Sequence, residues 1–364
     1  MPMSKYEILV MPGEGVGPEI VEQGVAVLEA IDEIFGWGLE ITEYEVGNAA
    51  FKKTGHHLPP DAKAACDRLK GSSNAAILFG AVTAEPISIL RKNYDLFANL
   101  RPIRSTAALS DISPLKPTLQ RELDMLIVRE LTSGIYYGKM ESGKDEHGRW
   151  ASQAMYYHED EVRRIAKVAL QAAEKSRRHL TLVHKGNVIW EVFDIWKDIL
   201  NEEAKSFPSV KCDDILVDNM AMQMIINPGE FDVALCSNLF GDILSDLGAG
   251  LVGSIGVMPS VSMNEAGFAL YESIGGTAPT LAGKQKANPI ATILSVAMMC
   301  RQTLNSELAA TMIEEAVDSV LKHYRTEDIA NDNLPVISTS EMGKKIVGDI
   351  YQAKNVVGLD KVAV

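Results

Sequence analysis

The chain has 364 residues, of which 46% are hydrophobic and 23% charged, and its formal net charge is −14. This length predicts about two domains, and the composition is typical of a soluble globular protein. So acidic a chain is a poor general binder of nucleic acid or of anionic membranes, and an anionic substrate would need a local cluster of Arg or Lys side chains.

Cysteine usage and hydropathy narrow the class of protein further. The four cysteines are scattered without a C-x-x-C motif, which argues against a zinc site or a disulfide framework and favours a reducing compartment. No uninterrupted apolar run approaches the roughly 18 residues of a membrane span. The first five residues lack the features of a signal peptide. We therefore expect a cytoplasmic protein.

Short apolar runs alternate with helical patterns along the chain. The apolar runs predict strands at 6–10, 75–79, 126–128, 180–183, 215–217 and 233–235. Helical spacing predicts helices after the first strand and at 161–173, 188–200, 289–299 and 307–323. The polar segment 141–150 is typical of an exposed hairpin or arm. The alternation of strands and helices predicts an α/β fold with a mostly parallel sheet.

A glycine-rich turn follows the first strand. Gly13, Gly15 and Gly17 precede Pro18, which stands where a G-x-G-x-x-G fingerprint would have its last glycine. A tight turn with proline near the first position of a helix accounts for the run equally well. The turn alone does not predict dinucleotide binding.

Three aspartates are the strongest candidate ligands. Asp242 and Asp246 are four residues apart in an apolar, Gly-rich helical segment, so both carboxylates lie on one helix face. Asp218 ends the strand-like run 215–218, which predicts a third carboxylate at the C-terminal edge of a strand. Oxygen ligands of this kind suit Mg²⁺ or Mn²⁺. The alternative is that Asp242 and Asp246 are solvated helix residues, but a pair within an apolar segment needs a partner.

Basic side chains next to turns and strand ends could recognise an anionic substrate. Arg91, Arg101 and Arg129 occupy such positions, and arginine binds carboxylates with two parallel hydrogen bonds. Each arginine alone could be a surface residue, but the three together could form a di- or tricarboxylate site. Tyr136 and Lys185 are candidates for proton transfer, since a lysine beside arginines and a metal ion can act as a base.

Together these residues resemble the metal-dependent β-decarboxylating dehydrogenases, which include 3-isopropylmalate, isocitrate, homoisocitrate and tartrate dehydrogenases. The resemblance extends from Gly13 to about Gly343. It is most specific in the segments 97–102, 128–132, 238–246 and 287–290. The run 129–138 is closest to the pattern of the 3-isopropylmalate branch, whereas 184–187 is more similar to the isocitrate members.

The resemblance implies a two-domain α/β fold of the isopropylmalate/isocitrate dehydrogenase type, with a mostly parallel central sheet, and not a Rossmann fold. Residues 1–98 and 252–364 would form a discontinuous first domain that holds the termini and the cofactor loop. Residues 99–251 would form the second domain, with the dimer contacts and the metal and proton-transfer residues. The resemblance also implies a homodimer with shared active sites, in which Lys185 and Asp218 are supplied across the interface.

By resemblance, each candidate residue has a role in the chemistry. Asp218, Asp242 and Asp246 would bind Mg²⁺ or Mn²⁺, Lys185 would accept the proton of the substrate's C2 hydroxyl, and Tyr136 would protonate C3. The residues implied in substrate binding are Arg91, Arg101, Arg129, Ile87, Ser88 and Asn187. The residues implied in cofactor binding are Glu272, Gly275, Gly276, Thr277, Ala278, Pro279, Thr280 and Asn288.

The cofactor loop departs from the family pattern. Gly275 stands where histidine is usual, and Thr280 stands where NAD-specific members have an aspartate that accepts hydrogen bonds from the adenosine ribose. The Lys-Tyr pair of some NADP-specific members is also absent. We expect NAD, and NADP stays open because Lys284 and Lys286 are close enough in sequence to meet a 2′-phosphate.

The expected reaction is the oxidative decarboxylation of a 3-substituted malate, (2R,3S)-3-isopropylmalate of leucine biosynthesis or a related pathway. Ile87 would form an apolar wall for the alkyl group. One methylene group in such a pocket changes the discrimination between substrates by only about 1–3 kcal/mol, so a related alkylmalate would fit nearly as well. Ser88 and Glu85 could instead favour a more polar substrate. The alternatives are homoisocitrate, isocitrate, tartrate or another alkylmalate, and a non-catalytic regulatory homologue, which the altered cofactor loop suggests.

Overall fold

The computed structural model describes residues 6–83 and 85–357, and the side chains only as far as residue 354. The strands are β1 Glu7–Met11, β2 Glu40–Glu43, β3 Ala75–Phe79, β4 Ala98–Arg104, β5 Asp124–Glu130, β6 Met140–Asp145, β7 Gly148–Gln153, β8 His179–His184, β9 Lys211–Leu216, β10 Val233–Cys236, β11 Pro259–Met263 and β12 Ala269–Ser273. The helices are α1 Gly17–Phe35, α2 Asn48–Thr54, α3 Pro60–Leu69, α4 Ile87–Asn93, α5 Pro117–Gln120, α6 Glu159–Glu174, α7 Trp190–Ala204, α8 Val217–Ile226, α9 Asn238–Val252, α10 Ile290–Gln302, α11 Glu307–Leu321 and α12 Thr339–Val357.

The chain divides into two compact units. The first contains the described residues up to Leu96, the segment Thr106–Pro114, and the described residues from Val252 onward. The second contains Phe97–Ser105 and Leu115–Leu251. Each unit has strands at its centre and helices packed against them, as the alternating pattern of the sequence predicts.

In the first unit the strands lie in the order β2-β1-β3-β12-β11, and every pair is parallel except β11 with β12. Successive side chains of a strand point to opposite faces of the sheet. Almost every residue of β1 and β3 is buried, so both faces of this sheet are covered. Leu9 and Ile77 pack with Ala65 and Cys66 of α3. Such continuous apolar strands are typical of parallel sheets enclosed by helices.

In the second unit the order is β4-β5-β10-β8-β9, and only β4 and β5 are antiparallel. The buried face of α6, which includes Val162, Ile165 and Ala169, packs on β5, β8 and β10. Strands β6 and β7 form a separate antiparallel hairpin with mostly exposed side chains, as predicted for the polar segment 141–150. The sequence therefore correctly predicts the α/β class and the mostly parallel pairing.

One predicted strand end is wrong. Strand β9 ends at Leu216, and α8 begins at Val217, so Asp218 lies in the first turn of a helix and does not end a strand. The apolar run 215–217 contains residues that favour strands, but the chain leaves the sheet before Val217, the last residue of this run. An acidic side chain is favourable in this position because the first N–H groups of a helix carry partial positive charge.

In the part of the chain that the structure describes, no helix is both long enough and apolar enough to span a membrane.

Candidate active site

Helix α9 carries the predicted aspartate pair. Asp242 and Asp246 are one helical turn apart, with Ser245 buried between them in sequence. The Asp242 side chain is 37% exposed, and Asp246 is exposed. The two carboxylates therefore share a face of α9 that solvent can reach, as the four-residue spacing predicts.

Two arginines and a tyrosine converge on Asp242. Arg129 Nη1 lies 2.5 Å from Asp242 Oδ1, and the Tyr136 hydroxyl donates to Asp242 Oδ2 at 2.5 Å. Arg101 Nη1 lies 3.5 Å from Asp242 Oδ1 and donates to Ser245 Oγ at 2.6 Å. Both arginines are buried, Arg101 on β4 and Arg129 on β5. Four residues that the sequence predicts as site residues thus meet within the second unit.

The arginines determine the charge of this cluster. Burial of the Asp242 carboxyl opposes its ionisation. The positive charge of Arg129, followed by the hydrogen bond from Tyr136 and the charge of Arg101, together outweigh this effect of burial. The pKa of Asp242 therefore lies below its ordinary value. Burial raises the pKa of Asp246, and the negative charge of Asp242 adds to that rise. Burial and the bond to Asp242 likewise raise the pKa of Tyr136. Asp242 is therefore an anion at neutral pH, and Tyr136 keeps its proton.

Asn238, at the start of α9, fixes the position of Arg129. Its Oδ1 accepts hydrogen bonds from Arg129 Nε at 3.0 Å and Nη2 at 2.7 Å, and its Nδ2 donates to the carbonyls of Leu131 and Ser133, each at 3.1 Å. Gly241 allows α9 to approach this closely, because a Cβ atom at this position would lie 2.7 Å from the Cβ and Cγ atoms of Arg129. The sequence pattern alone does not mark Asn238 as a site residue.

Lys185 and Asp218 form a second pair in the same unit. Lys185 follows β8, Asp218 lies in the first turn of α8, and Lys185 Nζ is 2.5 Å from Asp218 Oδ1. The hydrogen bond from Lys185 lowers the pKa of the Asp218 carboxyl. Asn187, which the sequence predicts to bind substrate, lies two residues after Lys185 and is exposed.

The three aspartates do not form one metal site within a single chain. Among residues 6–83 and 85–357, no group of three or more His, Cys, Asp or Glu side chains is arranged to hold a metal ion. Asp218 contacts Lys185, whereas Asp242 contacts arginines and Tyr136. The metal site shared between subunits, which the resemblance implies, stays a prediction.

The remaining predicted substrate residues lie on α4 in the first unit. Arg91 Nη2 donates to Glu272 Oε1 at 2.9 Å, and both side chains are largely buried. Ile87 is half-buried and packs against the apolar cluster that includes Phe79 and Leu90, whereas Ser88 is exposed. Glu272, predicted to contact the cofactor, thus has Arg91 as its partner.

A cavity of about 320 Å³ lies in the first unit beside the predicted cofactor loop. This volume is within the range of small-molecule sites. Of the predicted cofactor residues, Gly275, Gly276, Ala278 and Asn288 line it, whereas Glu272, Thr277, Pro279 and Thr280 do not. Lys286, which the sequence suggests for a 2′-phosphate, also lines the cavity. The sequence pattern does not reveal the lining residues Val16, Ile20, Ser254, Ile255, Gly256, Glu327 and Asp328.

Backbone contacts hold the cofactor loop in place. Val16 N–H donates to the Thr277 carbonyl at 2.9 Å, and the Glu19 carboxylate accepts from the N–H groups of Gly283 at 2.6 Å and Gln285 at 2.8 Å. Gly15 has a φ of +60° and comes so close to Thr277 that a Cβ atom would lie 1.9 Å from its carbonyl oxygen. The glycine turn after β1 therefore supports the loop, and its sequence did not reveal this role.

Comparison with known proteins is consistent with this arrangement. The profile of the isocitrate/isopropylmalate dehydrogenase family matches residues 7–346. The chain belongs to the isocitrate/isopropylmalate dehydrogenase family. It is 42% identical to the 3-isopropylmalate dehydrogenase of Aquifex aeolicus strain VF5, over 97% of this chain and 99% of that one. It is 43% identical to the enzyme of the same name from Mannheimia succiniciproducens, over 96% of this chain and all of that one.

A solved structure supports the same assignment. The isocitrate dehydrogenase from Methylococcus capsulatus superposes with a TM-score of 0.84 and is 32% identical, over 95% of this chain and 99% of that one. Family membership, the dehydrogenase class and the family fold predicted from the sequence are thereby confirmed.

Proposed function

We propose that the chain catalyses the metal-dependent oxidative decarboxylation of (2R,3S)-3-isopropylmalate, with NAD as the hydride acceptor. The observation that carries this proposal is the cluster around Asp242, where two buried arginines and a protonated tyrosine meet one accessible carboxylate. Relatives named 3-isopropylmalate dehydrogenase, which match almost the whole chain, support the choice of substrate.

Arg101 and Arg129 would bind the substrate's carboxylates. Their guanidinium groups face Asp242 and are held by Ser245 and Asn238, so their donors are already oriented. Planar guanidinium groups match carboxylates with paired hydrogen bonds. For Arg91, which is paired with Glu272 in the first unit, carboxylate binding stays a prediction.

The residues around Asp242 fit a divalent cation. Its carboxylate is anionic and accessible. Burial and, to a smaller extent, repulsion from Asp242 raise the pKa of Asp246, and a cation would relieve this repulsion. Asp242, Asp246 and the partner subunit's Asp218 would hold Mg²⁺ or Mn²⁺. When bound, the ion would supply positive charge that lowers the pKa of the substrate's C2 hydroxyl and favours negative charge on its oxygen.

Two side chains would move protons. Lys185 Nζ would accept the proton of the C2 hydroxyl, and the Tyr136 hydroxyl would give its proton to C3 after CO₂ has left. Tyr136 suits the second role because its raised pKa keeps it protonated at neutral pH. Bound NAD would supply the electron acceptor that takes the hydride from C2.

The 320 Å³ cavity favours NAD over NADP. Its lining contains two carboxylates, Glu327 and Asp328, and Glu327 Oε2 lies 2.9 Å from Lys286 Nζ. Lys286 is one of the two lysines that could meet a 2′-phosphate, and it is already paired with Glu327. The remaining carboxylate of the lining, Asp328, would repel the phosphate dianion.

We expect Glu327→Gln to raise the affinity for NADP by about tenfold and to change that for NAD by less than about threefold, because a free Lys286 forms a charge-assisted bond with the phosphate. Calorimetric titration with NAD and with NADP measures both constants. The double variant Glu327→Gln/Lys286→Gln should not show the increased affinity for NADP. An unchanged ratio of the two affinities in Glu327→Gln would contradict the assignment.

Exposed apolar side chains support a homodimer. Met222, Ile225 and Ile226 of α8 and Ile243 of α9 are 45–56% exposed. Monomers seldom leave such a group of apolar side chains in water. These helices also carry Asp218 and Asp242, which do not meet within one chain, so we propose that paired chains complete each other's sites.

Mixed dimers would test the sharing of sites. When chains with Lys185→Ala and chains with Tyr136→Phe assemble at random in equal amounts, half of the dimers contain one of each, and one of their two sites is intact. We expect about a quarter of the native activity from this two-fold symmetry. Activity equal to the mean of the two parent variants would show that each site lies within one chain.

A substrate panel tests the reaction itself. The purified protein with Mn²⁺ should reduce NAD with 3-isopropylmalate, and the rate should exceed those with isocitrate, homoisocitrate, tartrate and other alkylmalates. Isocitrate is the closest competitor, since a solved relative is an isocitrate dehydrogenase. Failure to reduce NAD or NADP with any of these acids would refute the proposal.

A further inference from the structure

A buried histidine precedes the proposed proton acceptor. His184, the last residue of β8, is 5% exposed. Its Nδ1 accepts a hydrogen bond from Gly186 N–H at 3.0 Å, and its Nε2 lies 2.7 Å from Asp214 Oδ2. The ring therefore connects the turn around Lys185 with the neighbouring strand β9.

The two ends of this connection lie next to the two members of the lysine–aspartate pair. Lys185 directly follows His184, and Asp218 follows Asp214 after the last residues of β9. Strands β8 and β9 are paired in parallel, and Lys185 Nζ lies 2.5 Å from Asp218 Oδ1 where they end. A change in the turn at Gly186 would move Lys185 relative to Asp218.

These contacts require a neutral imidazole. Because Nδ1 accepts a hydrogen bond, the ring's one proton is on Nε2, which donates to Asp214. The groups that face the ring are Asp214 from β9, Lys197 from α7, which is 3.1 Å from Asp214, and the apolar ring of Phe193. Burial first and the charge of Lys197 second lower the pKa of His184, and Asp214 opposes them. A second proton would point an N–H group at the N–H of Gly186.

We propose that His184, in its neutral form, is a positioning residue that holds the turn 184–186 and thereby places Lys185 Nζ for proton transfer, and that protonation of the ring releases this turn. This inference rests on the proposed function of Lys185. It assigns a role to a residue that contacts neither substrate nor cofactor in the proposed reaction.

Two substitutions separate the contacts of the ring. In His184→Asn, the amide oxygen takes the place of Nδ1 and can still accept from Gly186 N–H. In His184→Gln, the amide reaches the place of Nε2 and keeps the donor to Asp214, but it leaves Gly186 without its acceptor. We expect kcat to fall about tenfold to a hundredfold in His184→Gln and to stay within about threefold in His184→Asn, because small misplacements of a catalytic group have effects of this size.

The pH profile tests the role of protonation. We expect the ratio of kcat of His184→Asn to native kcat to rise as the pH falls from about 8 to about 5, since asparagine cannot take up the proton that releases the turn. Any titration that both proteins share cancels in this ratio. A ratio independent of pH, or equal kcat values for the asparagine and glutamine variants, would overturn the inference.

His179 is a matched control. It lies on the same strand, at the opposite end from His184, and its Nε2 is 2.7 Å from Asp213 Oδ2. The corresponding asparagine and glutamine variants of His179 should both keep the native kcat and pH profile. If Lys185→Ala also keeps native kcat, Lys185 is not the base of the proposed reaction, and the inference about His184 fails with that role. If only that variant loses activity and both His184 variants are native-like, the inference about His184 fails alone.

Discussion

Replacing Lys185 with alanine is expected to lower kcat by about 10²- to 10⁴-fold, the usual contribution of a positioned general base. Lys185 Nζ lies beside Asp218, which in the proposed reaction binds the same ion as the substrate's hydroxyl oxygen. Without the amine, the pair keeps only the Asp218 carboxylate, which in the proposed reaction binds the ion, so the hydroxyl proton has no acceptor and hydride transfer stalls. KM for the substrate should change much less, because the arginines that are proposed to bind its carboxylates are untouched.

A control and a rescue experiment separate this role from a structural one. Lys211 is a suitable control, since it is 73% exposed at the start of β9 and pairs with Asp213, and Lys211→Ala should keep native kcat. A small primary amine added to Lys185→Ala should restore part of the lost rate. Steady-state kinetics measure both effects. If Lys185→Ala retained more than about a tenth of native kcat, another group would have to be the base.

The parts of the site that sequence could predict are those with local patterns. Asp242 and Asp246 share a helix face because they are four residues apart, and this spacing is visible without a structure. Arg129 and Lys185 are recognisable as candidates because each ends or follows an apolar run. The apolar residues before Asp218 predict a strand there, because the change from strand to helix at Val217 has no strong local signal.

The contacts that give these residues their properties could not be predicted in this way. Arg129 and Tyr136 meet Asp242 from positions 113 and 106 residues away in the sequence, so only the packing of α9 beside β5 reveals why Asp242 stays ionised. The cavity beside the predicted cofactor loop is similar, since Glu327 reaches Lys286 from a separate segment after α11. The sequence shows the lysine that keeps NADP open, but it does not show that this lysine is paired with Glu327.

Replacing Tyr136 with phenylalanine should lower steady-state kcat by about 10²-fold or more, for a different reason than at Lys185. The hydroxyl that donates to Asp242 would, in the proposed reaction, give its proton to C3 after hydride transfer and loss of CO₂. Phenylalanine keeps the ring, which Arg129 approaches to 5.6 Å from its centre, so the arginines should stay in place. The substitution therefore removes a proton donor while leaving the substrate contacts.

The order of steps gives this variant a kinetic signature. Because Tyr136 acts after the hydride has left C2, Tyr136→Phe should still form reduced cofactor quickly in the first turnover and then slow down, which stopped-flow absorbance records as a burst. Lys185→Ala should show no burst, since its defect comes at or before hydride transfer. A Tyr136→Phe enzyme that lacked the burst and also bound substrate weakly would contradict the proton-donor role. It would instead show that the hydroxyl mainly positions Asp242, to which it donates in this structure.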